Sequence, residues 1–178
     1  MTEGYHTPVL VEEVVRWLEP RRGGLYFDGT LGGGGHSEAI LEAGPEARVL
    51  AVDRDPEALA EAERRLAEYG ERFEARAGDY GDVVERLEVE LAGALLDLGV
   101  SSHQIDALER GFTFREGAPL DMRMGSEGRT AADVLNDYGE EELVRVLREY
   151  GEEPRAWPLV RRIVTRRGPE PFRTSGDL

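Results

Sequence analysis

The chain has 178 residues, of which 40% are hydrophobic, enough for one domain with a buried core or for one domain with part of a second. It carries a formal net charge of −15 and no Cys, which excludes disulfides, thiolate metal sites and a cysteine nucleophile within it. It shows no secretory-signal pattern and no apolar run near the ~20 residues of a membrane span, so we expect a cytoplasmic protein.

The first hundred residues alternate predicted helices with short apolar strands. A helix is predicted to begin at Thr7-Pro8, because Thr can cap a helix and Pro suits its first turn. Strands are predicted at 25–27, 48–53, 72–77 and 93–97, and further helices at 36–43, 56–69 and 81–90. Apolar strands without period-two alternation, separated by helices, are typical of a parallel sheet covered on both faces.

The character of the sequence changes near residue 101. Residues 101–130 mix Gly, Pro, Ser and charged residues without periodicity, which predicts a long functional loop. Two helices are predicted after it, one around 143–150 and one over about 155–167 with Arg155, Arg162 and Arg166 on a polar face. We therefore divide the chain into an α/β core at 1–104 and, at 105–178, a loop with part of a helical module.

The run Asp28–His36 joins the first predicted strand to a helix and contains five glycines. Glycines let a backbone approach a ligand closely, and a helix start offers free N–H donors. A triphosphate loop needs a Lys, which the chain lacks, and the G-x-G-x-x-G dinucleotide pattern fails at its third glycine. The remaining pattern, Asp28 followed by Gly32 and Gly34, is that of methyltransferase motif I and predicts S-adenosylmethionine as the cofactor.

Side chains after the later strands extend the predicted cofactor site. Asp53 follows about 20 residues on, where a carboxylate can accept hydrogen bonds from both hydroxyls of a ribose. Tyr80 follows the third strand and can stack on an adenine, although an ordinary turn is the alternative. Asp97 ends the fourth strand, where the ligand crevice of a parallel sheet lies.

The histidines do not indicate a metal centre. His6, His36 and His103 are too scattered for one, and no acidic cluster has recognisable ligand spacing, so no metal is predicted. His36 lies at the start of a predicted helix, which favours a backbone anchor or a ligand contact over a general base.

In their order along the chain, these motifs resemble the MraW/RsmH family. The first matching segments are His6-Thr-Pro-Val-Leu10, Asp28-Gly-Thr-Leu-Gly-Gly-Gly-Gly-His-Ser37, Asp53-Arg-Asp55, and Asp97-Leu-Gly-Val-Ser-Ser102 with Gln104 and Asp106. The later ones are Gly111-Phe-Thr-Phe114, Pro119-Leu-Asp-Met-Arg-Met124, Thr130-Ala131 and Tyr150-Gly-Glu-Glu153. One such segment is weak evidence, but the ordered set is highly specific.

The resemblance implies a Rossmann-like class I methyltransferase sheet with helices on both faces, plus a smaller helical inserted domain. It also implies contacts to S-adenosylmethionine from a set of residues, namely Gly34, Gly35, His36, Asp53, Tyr80, Asp97 and Gln104. The family more often has Phe where Tyr80 stands, and either ring can stack. Its members are considerably longer than this chain, so we expect poor cofactor binding here if later strands are needed to close the site.

Members of this family methylate the N4 amine of a cytidine in small-subunit ribosomal RNA. We therefore expect ribosomal RNA, or the assembled small subunit, as partner, with an unstacked cytosine amine attacking the sulfonium methyl in line. Asp97 is the predicted catalytic acceptor for the amine N–H, although it can instead hold the amino group of the cofactor. Methylation at cytosine C5 would require a cysteine nucleophile, which the chain lacks.

Charge distribution leaves the question of an RNA surface open. The overall acidity argues against nucleic acid, but residues 154–178 carry six Arg and only two acidic residues. The Arg-bearing helix is therefore the candidate phosphate contact, and a solvated face is the ordinary alternative. Two other functions remain: a methyltransferase with a small-molecule or protein acceptor, and a non-catalytic RNA-binding module.

Overall fold

A computed structural model describes residues 8–178 of the chain, so that His6 and Thr7 of the predicted N-terminal motif lie outside the described residues. The contacts divide the chain into two compact units. The first ends at His103 and also includes Met124–Ser126, and the second comprises Gln104–Arg123 and Glu127–Leu178.

The first unit is an α/β sheet unit. Its strands are β1 (Gly24–Asp28), β2 (Ala47–Asp53), β3 (Phe73–Ala77) and β4 (Gly93–Leu95). Its helices are α1 (Val11–Leu18), α2 (Gly35–Ala43), α3 (Pro56–Arg65) and α4 (Tyr80–Val84), with 3₁₀ turns at Pro20–Arg22 and Ala67–Arg72. The predicted alternation of strands and helices is therefore confirmed.

Three predicted helix ends and one strand end are wrong. The helix predicted over 56–69 ends at Arg65, and the strand predicted over 93–97 ends at Leu95. Helix α1 begins at Val11, three residues after Pro8, because Leu10 before it has a left-handed backbone with φ 54°. Helix α4 ends at Val84, six residues before the predicted end at 90. Leu87 and Leu91 continue the spacing of a helix, but they pack against the sheet from an irregular segment.

All strand pairings are parallel, in the order β3-β2-β1-β4. Side chains alternate between the faces: Tyr26, Val49 and Ala51 belong to one buried cluster, and Phe27, Leu50 and Val52 to another. The first cluster includes Ile40, Leu41 and Ala62 from α2 and α3, and the second is covered by Val83, Leu87 and Leu91. Helices α2 and α3 therefore cover one face, and α4 with the irregular segment after it covers the other. The strand order is that of a Rossmann-like sheet, as predicted.

The second unit is mostly helical and has its own core. Its helices are α6 (Ala131–Asp137), α7 (Glu140–Glu149) and α8 (Ala156–Arg167), and α5 (Ser102–Asp106) crosses the division between the units. 3₁₀ turns lie at Leu108–Arg110 and Ser175–Asp177. The core is formed by Leu120, Leu143, Val144, Ala156, Val160, Ile163 and Phe172. No helix in the described part of the chain is both long and apolar enough to cross a bilayer.

The segment predicted as a long loop is partly ordered by backbone pairing. Pro119 and Thr174 form an antiparallel bridge, and the Leu120 amide donates to the Arg173 carbonyl at 2.9 Å. Helix α6 follows this segment and was not predicted. Its signal was a capping box, in which Thr130 Oγ1 accepts from the Asp133 amide at 3.1 Å and Asp133 accepts from the Thr130 amide at 2.9 Å.

Replacing Thr130 with Ala should lower the free energy of unfolding by about 1 kcal/mol, because the first turn of α6 loses its side-chain acceptor. Thr165→Ala is the control, because the Thr165 hydroxyl donates to a carbonyl within α8 and caps no helix end. Urea unfolding followed by circular dichroism measures both changes. A Thr130→Ala protein as stable as the control protein would contradict this role for the capping box.

Candidate active site

The candidate site lies at the carboxyl edge of the sheet, where the strand order reverses. Strands β2 and β3 lie on one side of β1 and β4 lies on the other, so the chain switches direction between β1 and β4. Ligands of open parallel sheets bind at such a switch point. The glycine loop follows β1 and Asp97 follows β4, which places both at this edge.

The loops after β1 and β4 touch closely at Gly29. Its amide donates to the Leu95 carbonyl at 3.0 Å, and an added Cβ would lie 2.4 Å from Leu96 Cδ2. The Asp97 amide donates to Thr30 Oγ1 at 2.7 Å. A side chain at position 29 would therefore force the Leu96 side chain to move and would crowd Tyr80 Cβ at 3.0 Å.

Asp28 stabilises the glycine loop through hydrogen bonds to its buried carboxylate. Its carboxylate is 1% exposed and accepts hydrogen bonds from Ser37 Oγ at 2.7 Å and from the Thr30 amide at 3.1 Å. Burial raises the pKa of the Asp28 carboxyl above its ordinary value, and the two hydrogen bonds oppose that rise. Asp28 therefore ties the end of β1 to the start of α2 and does not face solvent.

Asp53 fixes the same loop from the end of β2. One carboxylate oxygen accepts from the Gly32 amide at 2.8 Å, and the other accepts from the Asp55 amide at 2.9 Å. Each carboxylate oxygen has two lone pairs, so both oxygens retain acceptor capacity for a ligand hydroxyl. The side chain is partly exposed, as a ligand contact requires.

His36 anchors the chain and faces Asp97. Its Nε2 lies 2.7 Å from the Val9 carbonyl oxygen, which can only accept, so Nε2 carries the proton. Its Nδ1 lies 3.9 Å from Asp97 Oδ2. Nδ1 is therefore the ring nitrogen nearer the Asp97 carboxylate, at a distance beyond a direct hydrogen bond.

The remaining predicted site residues occupy different environments. Tyr80 is the first residue of α4 and is 39% exposed, so its ring is open to a ligand. Asp79 before it caps α4 through the Gly81 amide and pairs with Arg54; these contacts lower the pKa of its carboxyl. Gln104 is buried within α5 and is the first residue of the second unit.

The structure brings Gly32 together with Asp53 and His36 together with Asp97. Sequence reasoning missed Thr30 and Ser37, whose hydroxyls connect Asp97 and Asp28 to the loop. Their signal was present, because hydroxyl side chains within a glycine-rich turn commonly bond to nearby backbone or carboxylate groups. Within residues 8–178, no cluster of three or more His or acidic residues could hold a metal ion.

Gly34 is needed for packing as well as for its backbone conformation. It has φ +81°, and an added Cβ would lie 3.1 Å from Leu66 Cδ1 and 3.2 Å from Ala62 Cβ. We expect Gly34→Ala to lower the free energy of unfolding by about 2–4 kcal/mol, from backbone strain and crowding together.

Gly117→Ala is the matched control for that substitution. Gly117 has nearly the same φ, +84°, but an added Cβ would have nothing within 4 Å. It should therefore lose only the backbone part, about 1–2 kcal/mol. Equal losses in the two proteins, measured by urea unfolding, would show that packing against α3 contributes nothing.

Comparison with known proteins identifies the family. The model of the MraW methylase family matches residues 3–178. Ribosomal RNA small subunit methyltransferase H of Anaeromyxobacter dehalogenans is 54% identical over 162 residues, which cover 89% of this chain and 52% of that protein. The proteins of the same name from Trichlorobacter lovleyi and Heliobacterium mobile are 51% and 48% identical and cover 100% and 99% of this chain.

The chain spans between half and three fifths of the length of these relatives, at 52%, 59% and 59%. Within that span the family model extends over nearly every residue, including the glycine loop and the segment that carries Asp97. On this match, the chain belongs to the MraW methylase family.

Proposed function

We propose that this protein transfers a methyl group from S-adenosylmethionine to the N4 amine of a cytidine in small-subunit ribosomal RNA, in the cytoplasm. The observation that carries the proposal is the Asp97 carboxylate beside the glycine loop, with its Oδ2 3.9 Å from His36 Nδ1. Family membership supports the same reaction, because the curated relatives carry the name of a small-subunit ribosomal RNA methyltransferase.

The residues at the switch point fit the cofactor. Gly32 has φ +50°, and an added Cβ would meet only a carbonyl oxygen at 4.0 Å, so the space beside the loop backbone is open. Asp53 keeps free lone pairs for ribose hydroxyls, and Tyr80 offers an exposed ring for adenine. We assign the remaining cofactor contacts to Gly34, Gly35, His36, Asp97 and Gln104, as the resemblance implies.

The residues of this chain would orient the two reactants, and one of them would accept a hydrogen bond from the amine of the base. The cofactor, when bound, would supply a sulfonium methyl: its C–S bond would break as the C–N bond forms, S-adenosylhomocysteine would leave, and one amine proton would be released to solvent. The cytosine amine is a weak nucleophile because its lone pair is delocalised into the ring. A carboxylate that accepts its N–H shifts electron density toward nitrogen, and Asp97 is held for that role by the bond from its amide to Thr30.

Two donors can lie between His36 and Asp97: the amine of the base or the ammonium group of the cofactor. Either donor could hydrogen-bond to the Asp97 carboxylate. The base must be taken out of its stack to reach this position. We further propose that residues 1–104 form the cofactor-binding core, and that 105–178 form a loop with part of a helical domain inserted into it.

Methylation of small ribosomal subunits from a strain that lacks the modification tests the proposal. The chain is incubated with S-adenosylmethionine, the RNA is digested to nucleosides, and N4-methylcytidine is measured. The full-length relative from Anaeromyxobacter dehalogenans is the positive control. Methyl groups found on another base, or only on ribosomal protein, would point to a different acceptor and contradict the proposal.

A further inference from the structure

One face of α8 carries arginines that are exposed and close together. Arg161, Arg162 and Arg166 line a shallow, open concavity of ≈ 410 Å³, with Thr165 between them. All four side chains are exposed, while Val160 and Ile163 on the opposite face are buried in the core of the second unit. We call these four residues the α8 arginine face.

Arg161 and Arg162 differ in charge pairing from several arginines of the sheet unit. Arg22, Arg64 and Arg76 each pair with a carboxylate three or fewer residues away. For Arg161 and Arg162, no carboxylate of residues 8–178 lies within ion-pair distance of the guanidinium. A positive patch therefore remains unneutralised on a chain whose net charge is −15.

Arg166 is held in place by its own contacts. Its guanidinium lies 5.3 Å from the centroid of the Phe172 ring. The pKa of the Asp177 carboxyl is lowered by bonds from the Thr174 and Arg173 amides and, more weakly, by the charge of Arg166. No carboxylate of residues 8–178 lies within ion-pair distance of the Arg166 guanidinium, so its N–H groups can donate to an external anion.

The spacing of these charges suits a chain of phosphates. Arg162 and Arg166 are one helical turn apart, about 5–6 Å between Cβ atoms, and like charges at that spacing repel and weaken a helix. An anion on the face would remove that repulsion. A guanidinium donates two parallel hydrogen bonds to a phosphate, and an open surface that spans more than one turn suits a polymer better than a single ion.

We propose that the α8 arginine face binds the phosphate backbone of the RNA acceptor. This inference rests on the proposed function, because it assigns that RNA to a surface of the second unit. The contact is independent of base sequence and should position the RNA without selecting the cytidine.

The test is RNA binding by an Arg161→Glu/Arg162→Glu protein, since neither side chain has a packing role. A fluorescein-labelled single-stranded fragment of small-subunit ribosomal RNA is titrated with the full chain, and anisotropy is recorded at several salt concentrations. We expect the dissociation constant to rise roughly tenfold or more, and the slope of log K against log salt to fall by about 1.4. An Arg161→Gln/Arg162→Gln protein should show a smaller loss in the same direction.

Arg145→Glu/Arg148→Glu is the matched control, because it makes the same charge change at exposed positions on α7. It should change the dissociation constant less than threefold if the α8 arginine face is a specific site. Equal weakening by both pairs, or none by either, overturns the inference but leaves the methylation assay to decide the proposed function. Competition by polyglutamate as strong as that by unlabelled RNA would also overturn it, in favour of an acidic protein partner.

Discussion

Asp28→Ala should lower the free energy of unfolding by about 2–4 kcal/mol, because Ser37 Oγ and the Thr30 amide lose a buried acceptor. Asp28→Asn should be far milder. The amide oxygen can accept from Thr30, and the Ser37 hydroxyl can turn to accept from the amide nitrogen. Urea unfolding of both proteins at neutral pH gives the comparison.

The pH dependence of the same variants tests the burial of the carboxyl. Burial raises the pKa of Asp28 in the folded state. The stability that comes from this shift is therefore fully present at a pH below the ordinary Asp pKa, and it is lost as the pH rises through the pKa of the folded state. Asp28→Asn has no such group, so its stability relative to the natural protein should improve as pH rises across that window. A parallel pH profile for the two proteins would contradict the raised pKa.

Asp97→Asn should slow methyl transfer at saturating cofactor by roughly 10²–10³-fold, the usual effect of removing one group that stabilises charge in a transition state. The fold should be unaffected, because the bond to Thr30 comes from the Asp97 backbone amide and the side chain is 35% exposed. Single-turnover kinetics with small ribosomal subunits measure the rate, and calorimetry measures cofactor affinity.

The two measurements also separate the two roles of Asp97. Weaker cofactor binding with an unchanged rate at saturation would mean that the carboxylate holds the amino group of the cofactor and does not act on the base. Asp82→Asn is the control, because it removes the same charge from an exposed position on α4 and should change neither quantity.

Much of the sheet unit was predictable because its signals are local. Strands β1, β2 and β4 are short apolar runs that end in or near an acid, and such runs need no partner to be recognised. The start of α1 was not predictable, because Leu10 adopts a left-handed conformation that its sequence does not require. Leu87 and Leu91 kept helical spacing while packing on the sheet, so periodicity alone overextended α4.

The residue types of the site could be predicted from the sequence, but the contacts between these residues could not. Glycines and acids at strand ends marked the crevice, because each belongs to a local motif. The bonds from Gly32 to Asp53 and from His36 to Val9 join residues 21 and 27 positions apart, and no local pattern contains that pairing. The unneutralised charge of Arg161 and Arg162 is likewise a property of the folded surface, since it depends on where every carboxylate lies.

The hydrogen bond from the Gly32 amide to Asp53 makes this glycine a spectroscopic probe. An amide proton bound to a carboxylate is protected from exchange with solvent, and its resonance responds to anything else that the carboxylate binds. Ribose hydroxyls that reach Asp53 should therefore shift the Gly32 signal in an isotope-labelled sample. Cofactor binding can then be followed at one backbone atom, without RNA and without turnover.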